Sequence, residues 1–357
     1  MHANFYPQCL PTLIGSLPLH DHEEAAQLVF ENTPEIPLWV QLPAYAHEGM
    51  VAQFRPGLPG LRTTNGKAFV DAAGINFESE FLQFYEDYLA VTEGRADIAE
   101  SRFVLSADTA PGFFVLLERL RHLAQPPTAV KGHITGPITF GTGVKDQDGK
   151  SIFYVEQLRD AAVKLLALKA KWQVRQLAQF GRPVIIFFDE PALAGVGSSE
   201  FLSISNQDIA HCLAEVMEAV QSEGGLAGIH VCANTDWALV LTSPADIVNF
   251  DAYTYFDRFI LYADQVREFL ASGRILAWGI VPTLKAEEID RETVDSLVTQ
   301  WKDKARQVER LGIDAAQLFA QSLITPSCGT GALSVEHATK VLRLTKGVSQ
   351  RLRGRGP

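Results

Sequence analysis

His230 and Cys232 stand two residues apart in the stretch IHVCANTDW, at the end of an apolar run. In an extended chain residues i and i+2 point the same way, so one nitrogen and one sulfur aim at a common point. Cys328, in TPSCG after a later run, adds a second sulfur. Two sulfurs and a nitrogen form a donor set soft enough for zinc, with a fourth position open to a substrate. Asp251, at the end of DIVNFD, can supply that fourth ligand at rest, although an acid at a strand end can equally cap a helix. Taken singly, a buried cysteine is a small hydrophobe and a strand histidine is core, so the metal reading rests on the three residues together. Cys9 and Cys212 fit no cluster and are read as structural.

Zinc held by thiolates can bind a substrate thiol and keep it deprotonated at neutral pH, which makes the sulfur a nucleophile. A water-activating hydrolase more often uses histidines and carboxylates, so the sulfur-rich set favours alkyl transfer to a thiol. Asp189 and Glu190, followed by Pro191, form a second signal: paired carboxylates at a strand end can bind an amine or act as acid and base. Their bland reading is a helix N-terminus or a solvent-facing acid. The glycine-rich GHITGPITFGTG, residues 132–143, has neither phosphate-loop spacing and is read as a tight loop flooring the pocket.

These residues need a scaffold that brings strand ends together. Short β-branched or aromatic runs alternate with longer amphipathic segments, the pattern of repeated βα units around a parallel sheet. Eight strands are predicted: TLIGS (Thr12–Ser16), LWVQL (Leu38–Leu42), AVKGHI (Ala129–Ile134), PVIIFFD (Pro183–Asp189), AGIHVC (Ala227–Cys232), DIVNFD (Asp246–Asp251), ILAWGIV (Ile275–Val281) and AQLFAQ (Ala316–Gln321). Helical periodicity over YVEQLRDAAVKLLALKAKWQVRQLAQFG closes on Gly181, and ALSVEHATKVLRLTKGVSQRL opens with Ser334 as its N-cap. The expected fold is α/β, a single (β/α)8 barrel over residues 1–350. Residues 43–106, punctuated by PGLPGLRTTNG, are longer than a crossover needs and are read as an inserted lid or extra hairpin-and-helix element after the second strand. Residues 351–357 read as a flexible basic tail. In such a barrel, chemistry gathers at the carboxyl ends of the strands, where Ser16, Asp189, Glu190, His230, Cys232, Asp251 and Cys328 all fall.

Composition bounds the partners. A chain of 357 residues, 47% hydrophobic and 20% charged, can bury a large core, and its formal charge of -11 repels nucleic acid and acidic membranes. No stretch approaches the roughly 18 apolar residues of a membrane span. There is no basic and apolar leader, and four cysteines make no disulfide framework, so a cytoplasmic protein is expected.

The motifs IGS, GHITGPITF, DEPAL, HVC and PSCG, in this order over most of the chain, resemble the catalytic barrel of cobalamin-independent methionine synthase. HVCAN is also similar to the HxC box of corrinoid-dependent methyltransferases acting on coenzyme M, in the wider uroporphyrinogen decarboxylase-like superfamily. The resemblance implies zinc on His230, Cys232 and Cys328, with Asp251 standing where the synthase has a glutamate ligand. It implies Ser16 at the carboxylate and Asp189 at the ammonium of homocysteine. The synthase's acidic HGE-type segment is replaced by LWVQLPAYAHEGM, so Glu48 is the residue available for the second amino-acid-binding carboxylate. The synthase's long N-terminal barrel, which helps bind the folate donor, has no counterpart here, and no basic cluster replaces it. The expected donor is therefore methylcobalamin or a corrinoid protein.

Two other functions fit parts of the pattern. A non-catalytic corrinoid or zinc carrier would hold the same pocket without turnover. A tetrapyrrole decarboxylase would grip substrate carboxylates with arginines near the N-terminus, and MHANFYPQCLPTLIGSLP contains none.

Overall fold

The computed structural model describes residues 5–196 and 204–354. Among these residues nine strands occur in chain order: β1 (Leu10–Pro11), β2 (Leu61–Thr64), β3 (Lys67–Val70), β4 (Val130–Thr135), β5 (Val184–Asp189), β6 (Leu226–Val231), β7 (Ile247–Phe250), β8 (Ile275–Val281) and β9 (Ser322–Pro326). Seven form one curled, all-parallel sheet in the order β1-β9-β8-β7-β6-β5-β4. The predicted second strand, LWVQL, pairs only through single parallel bridges, Leu38 with Lys131 on β4 and Gln41 with Ser16 beyond β1. The amide of Lys131 donates to the Pro37 carbonyl at 2.9 Å and that of Gln41 to Gly15 at 3.0 Å, so residues 37–41 reach both edges of the sheet.

Alternation along the strands sorts side chains into two layers. On β5, Ile185 and Phe187 join an inner cluster with Leu10, Ala129, Ile247 and Leu323, whereas Ile186 and Phe188 belong to the large outer core under the helices. The inner cluster plugs the amino-terminal part of the concave side, and most of the polar groups gather beyond it toward the carboxyl ends of the strands. The long helix Glu156–Ala178 covers β4 and β5, and Gly181 follows it at φ 65°, as expected of a helix end. The helix Val335–Leu352 begins at Ser334, whose hydroxyl accepts from the amide of His337. It takes in Arg351 and Leu352, the first two residues of the expected tail, and Arg351 pairs with Asp295 at 2.7 Å; residues 355–357 lie outside the described residues.

Two predicted strands are corrected. TLIGS lies just past β1, which is Leu10–Pro11, and keeps only the single Ser16–Gln41 bridge. AQLFAQ is helical over Ala315–Ala320, because the Asp314 carboxylate accepts from the amides of Ala316 and Gln317 and so starts a helix. The strand is the following SLITP, which brings Cys328 to the carboxyl end of the sheet. Residues 43–106 hold the antiparallel hairpin β2–β3, turned at Asn65 and Gly66 (φ 50° and 75°), and the helix Phe77–Thr92. Among the described residues, no helix is long and apolar enough to cross a membrane.

Candidate metal centre

Strand register assembles the site. Asp189 on β5 pairs with His230 on β6, and His230 pairs with Asn249 on β7, so three polar side chains lie side by side on the inner face. One step further along, Cys232 and Asp251 follow β6 and β7, and Cys328 follows β9. The donor atoms of His230, Cys232 and Cys328 lie within 4.8 Å of one another. The His230 ring is buried; its Nδ1 bonds the side-chain oxygen of Asn249, and its Nε2 has no partner.

The two sulfurs push each other's protonation in opposite directions. Cys328, helped by His230, pulls the Cys232 thiol well below its ordinary value despite its burial. Cys232, with burial, pushes the Cys328 thiol far up. Burial opposes charge on His230, but the neighbouring Cys232 sulfur and Asp189 carboxylate outweigh it and raise that ring above its ordinary value. An orphaned imidazole nitrogen beside two neighbouring sulfurs suits a soft dication, which would displace the thiol protons and balance both thiolates.

A cavity of about 290 Å³ opens beside the three donors, lined also by Ser16, Gln41, Met50 and Asp189. Asp189 is 6% exposed, and its Oδ1 has no partner. Burial pushes its carboxyl up to about 6, against the pull of His230 and Lys131. The Ser16 hydroxyl accepts from the amide of Gly331 at 3.2 Å, and its carbonyl accepts from the amide of Thr330 at 3.0 Å. Gly329 lets this loop close in, since a Cβ there would sit 2.3 Å from Ser16 Oγ.

Other expected site residues lie elsewhere. Glu190 is on the opposite face of β5 from Asp189: its carboxylate accepts from the amides of Ile138 and Thr139 at 2.9 and 2.8 Å and from the Thr139 hydroxyl at 2.6 Å. It caps the short helix Pro137–Gly143, the form that the expected glycine-rich loop takes, and neither Glu190 nor that helix lines the cavity. Glu48 is buried outside the cavity lining, with its carboxylate 3.0 Å from the Leu42 amide and from His22 Nε2. Asp251 is buried near Cys232, but it is not among the three grouped donors. Its Oδ1 accepts from the Thr254 amide at 2.8 Å, its Oδ2 has no partner, and burial raises its carboxyl to about 6. Cys9 and Cys212 are buried away from the cluster, and burial raises both thiols.

Asn249, Gln41 and Lys131 escape the motif reading. Asn249 is a polar residue inside an otherwise apolar strand, with the same parity as Asp251, a signal that was available; Lys131 shares β4 with His133 and Thr135. Gln41 donates to Gln53 at 2.5 Å, which ties the cavity wall to the next turn. Lys131, fully buried, donates to the Ile14 carbonyl at 2.7 Å, and its amine lies 4.4 Å from the Phe187 ring centre.

No protein-family model and no curated protein matches the chain. Solved structures do. One is a B12-independent methionine synthase from Shewanella sp. W3-18-1 in complex with selenomethionine, with a TM-score of 0.54 and 16% identity over 97% of this chain and 98% of that one. Another is a methyltransferase from Methanosarcina mazei, with a TM-score of 0.54 and 14% identity over 96% of this chain and 94% of that one. What they share with this chain is a fold.

Proposed function

We propose that this chain is a zinc-dependent methyltransferase that methylates a thiol, built on a (β/α)8 barrel in which residues 37–41 serve as the eighth stave. The observation that carries the proposal is the meeting of His230, Cys232 and Cys328 donors within 4.8 Å at the wall of an open cavity. Zinc at these residues supplies a Lewis acid that keeps an acceptor thiol deprotonated at neutral pH. Asp251, with a buried and unpartnered Oδ2, is the fourth donor available at rest.

Asp189 gives the cavity a buried carboxylate for an ammonium group, and Ser16 with its glycine loop offers neutral donors for a carboxylate. The pair suits homocysteine. Among the described residues no lysine or arginine lines the cavity, which disfavours an anionic thiol such as coenzyme M and a tetrapyrrole polycarboxylate alike. Ile14, Pro43, Met50 and Ala332 supply apolar wall that keeps water from the acceptor. The methyl donor in this reading is a corrinoid, free or carried by a partner protein. The Shewanella protein, named as B12-independent and matched over 98% of its length, favours a donor other than a corrinoid as the second reading.

Metal analysis of the purified protein, paired with transfer from methylcobalamin to homocysteine or coenzyme M, tests the proposal. Stoichiometric zinc and transfer to homocysteine are expected, both lost in Cys232→Ala and Cys328→Ala. Transfer that survives both substitutions contradicts the proposal. Tight zinc or cobalamin binding with no methylation by any donor would instead mark a non-catalytic carrier.

A further inference from the structure

We infer that Asn249 is a positioning residue that fixes the proton of His230 on Nδ1 and so turns the Nε2 lone pair toward the metal donors. The inference rests on the proposed zinc site for its purpose but not for its geometry. Asn249 is fully buried in the middle of β7, with β6 on one side and β8 on the other. Its amide nitrogen donates to the Ala277 carbonyl at 2.8 Å and to the Thr325 hydroxyl at 2.8 Å. A backbone carbonyl only accepts, so the amide nitrogen must face β8 and β9 and the amide oxygen must face His230.

That oxygen bonds His230 Nδ1, and because an amide oxygen also only accepts, Nδ1 carries the hydrogen. Nε2 is left as the lone-pair nitrogen, buried, without a partner and within the three-donor group. Reversing the amide would set its oxygen against the Ala277 carbonyl and drive the proton to Nε2, so that this nitrogen could no longer ligate. The backbone of β8 therefore dictates, through one side chain, which nitrogen the cavity meets. Residues behind a metal ligand commonly set its tautomer and basicity in this way.

The test is nitrogen NMR of histidine-labelled, metal-free protein at a pH alkaline enough to leave the ring neutral, with His230 assigned by its loss in His230→Gln. Wild type is expected to show hydrogen on Nδ1. Asn249→Leu, which removes the acceptor, should lose that preference and bind zinc about 10- to 100-fold more weakly in chelator competition. Asn249→Asp, which still accepts but cannot donate to Ala277, should keep the Nδ1 hydrogen and recover most of the affinity. A role confined to tying β7 to its neighbours would make Asp as poor as Leu, and that result overturns the inference. A wild-type His230 protonated on Nε2 also overturns it, even if neither variant folds. Wild type with the expected tautomer but no zinc affinity would sink the proposed function and leave the tautomer assignment standing.

Discussion

Replacing Asp189 by Asn should make the metal-free protein more stable and methyl transfer slower. The carboxyl is buried with one oxygen unpartnered, and burial moves it from 3.8 to about 6. Below its unfolded value the group is neutral in both states and costs nothing. Between 3.8 and about 6 the unfolded chain ionises first, so wild-type stability falls as pH rises; above that window the full cost remains. At ~1.4 kcal/mol per pH unit the cost is about 3 kcal/mol. Asp189→Asn should therefore unfold later in urea by about 3 kcal/mol near pH 8, and the gain should shrink toward zero near pH 4. In turnover, losing one charge-assisted hydrogen bond to the substrate ammonium, about 1.5–3 kcal/mol, should lower kcat/KM for homocysteine about 10- to 150-fold. A variant no more stable than wild type near pH 8, or a gain independent of pH, would refute the reasoning.

Glu190→Ala should leave metal content intact but lower stability by about 3 kcal/mol or more in denaturant titration, since two buried amides lose their acceptor and a void replaces the side chain. Gly329→Ala should raise KM while sparing zinc affinity, because its Cβ meets Ser16 Oγ; competition assays and kinetics separate the two effects. Chelation should lower the melting temperature, since free zinc at a thousand times its Kd adds about 4 kcal/mol to the folded state. A melting curve indifferent to chelator would mean that these three side chains hold no ion.

The scaffold was largely legible because parallel strands buried on both faces read as apolar runs, and five of the predicted runs overlap strands of the sheet. AQLFAQ failed because its aspartate cap and the adjoining SLITP run compete for the same stretch, and the cap starts a helix first. LWVQL failed as a regular strand because it makes only single bridges to each edge. In the site, His230 and Cys232 were legible from their spacing, and Cys328 from its place after the last strand. Glu190 was misplaced although strand alternation alone puts it opposite Asp189. Glu48 depends on a contact distant in sequence, with His22, which no local pattern encodes; the parity of Asn249 with Asp251 was legible, but its partners Ala277 and Thr325 were not.

The central claim is that one imidazole and two sulfurs hold a single zinc ion with room for an incoming thiol. Zinc-edge X-ray absorption of the purified protein, with and without homocysteine, tests it most directly. A first coordination sphere containing one nitrogen and two sulfurs from these residues is expected, with a third sulfur on adding the thiol. A sphere without protein sulfur, or one unchanged by the thiol at saturating concentration, would contradict it.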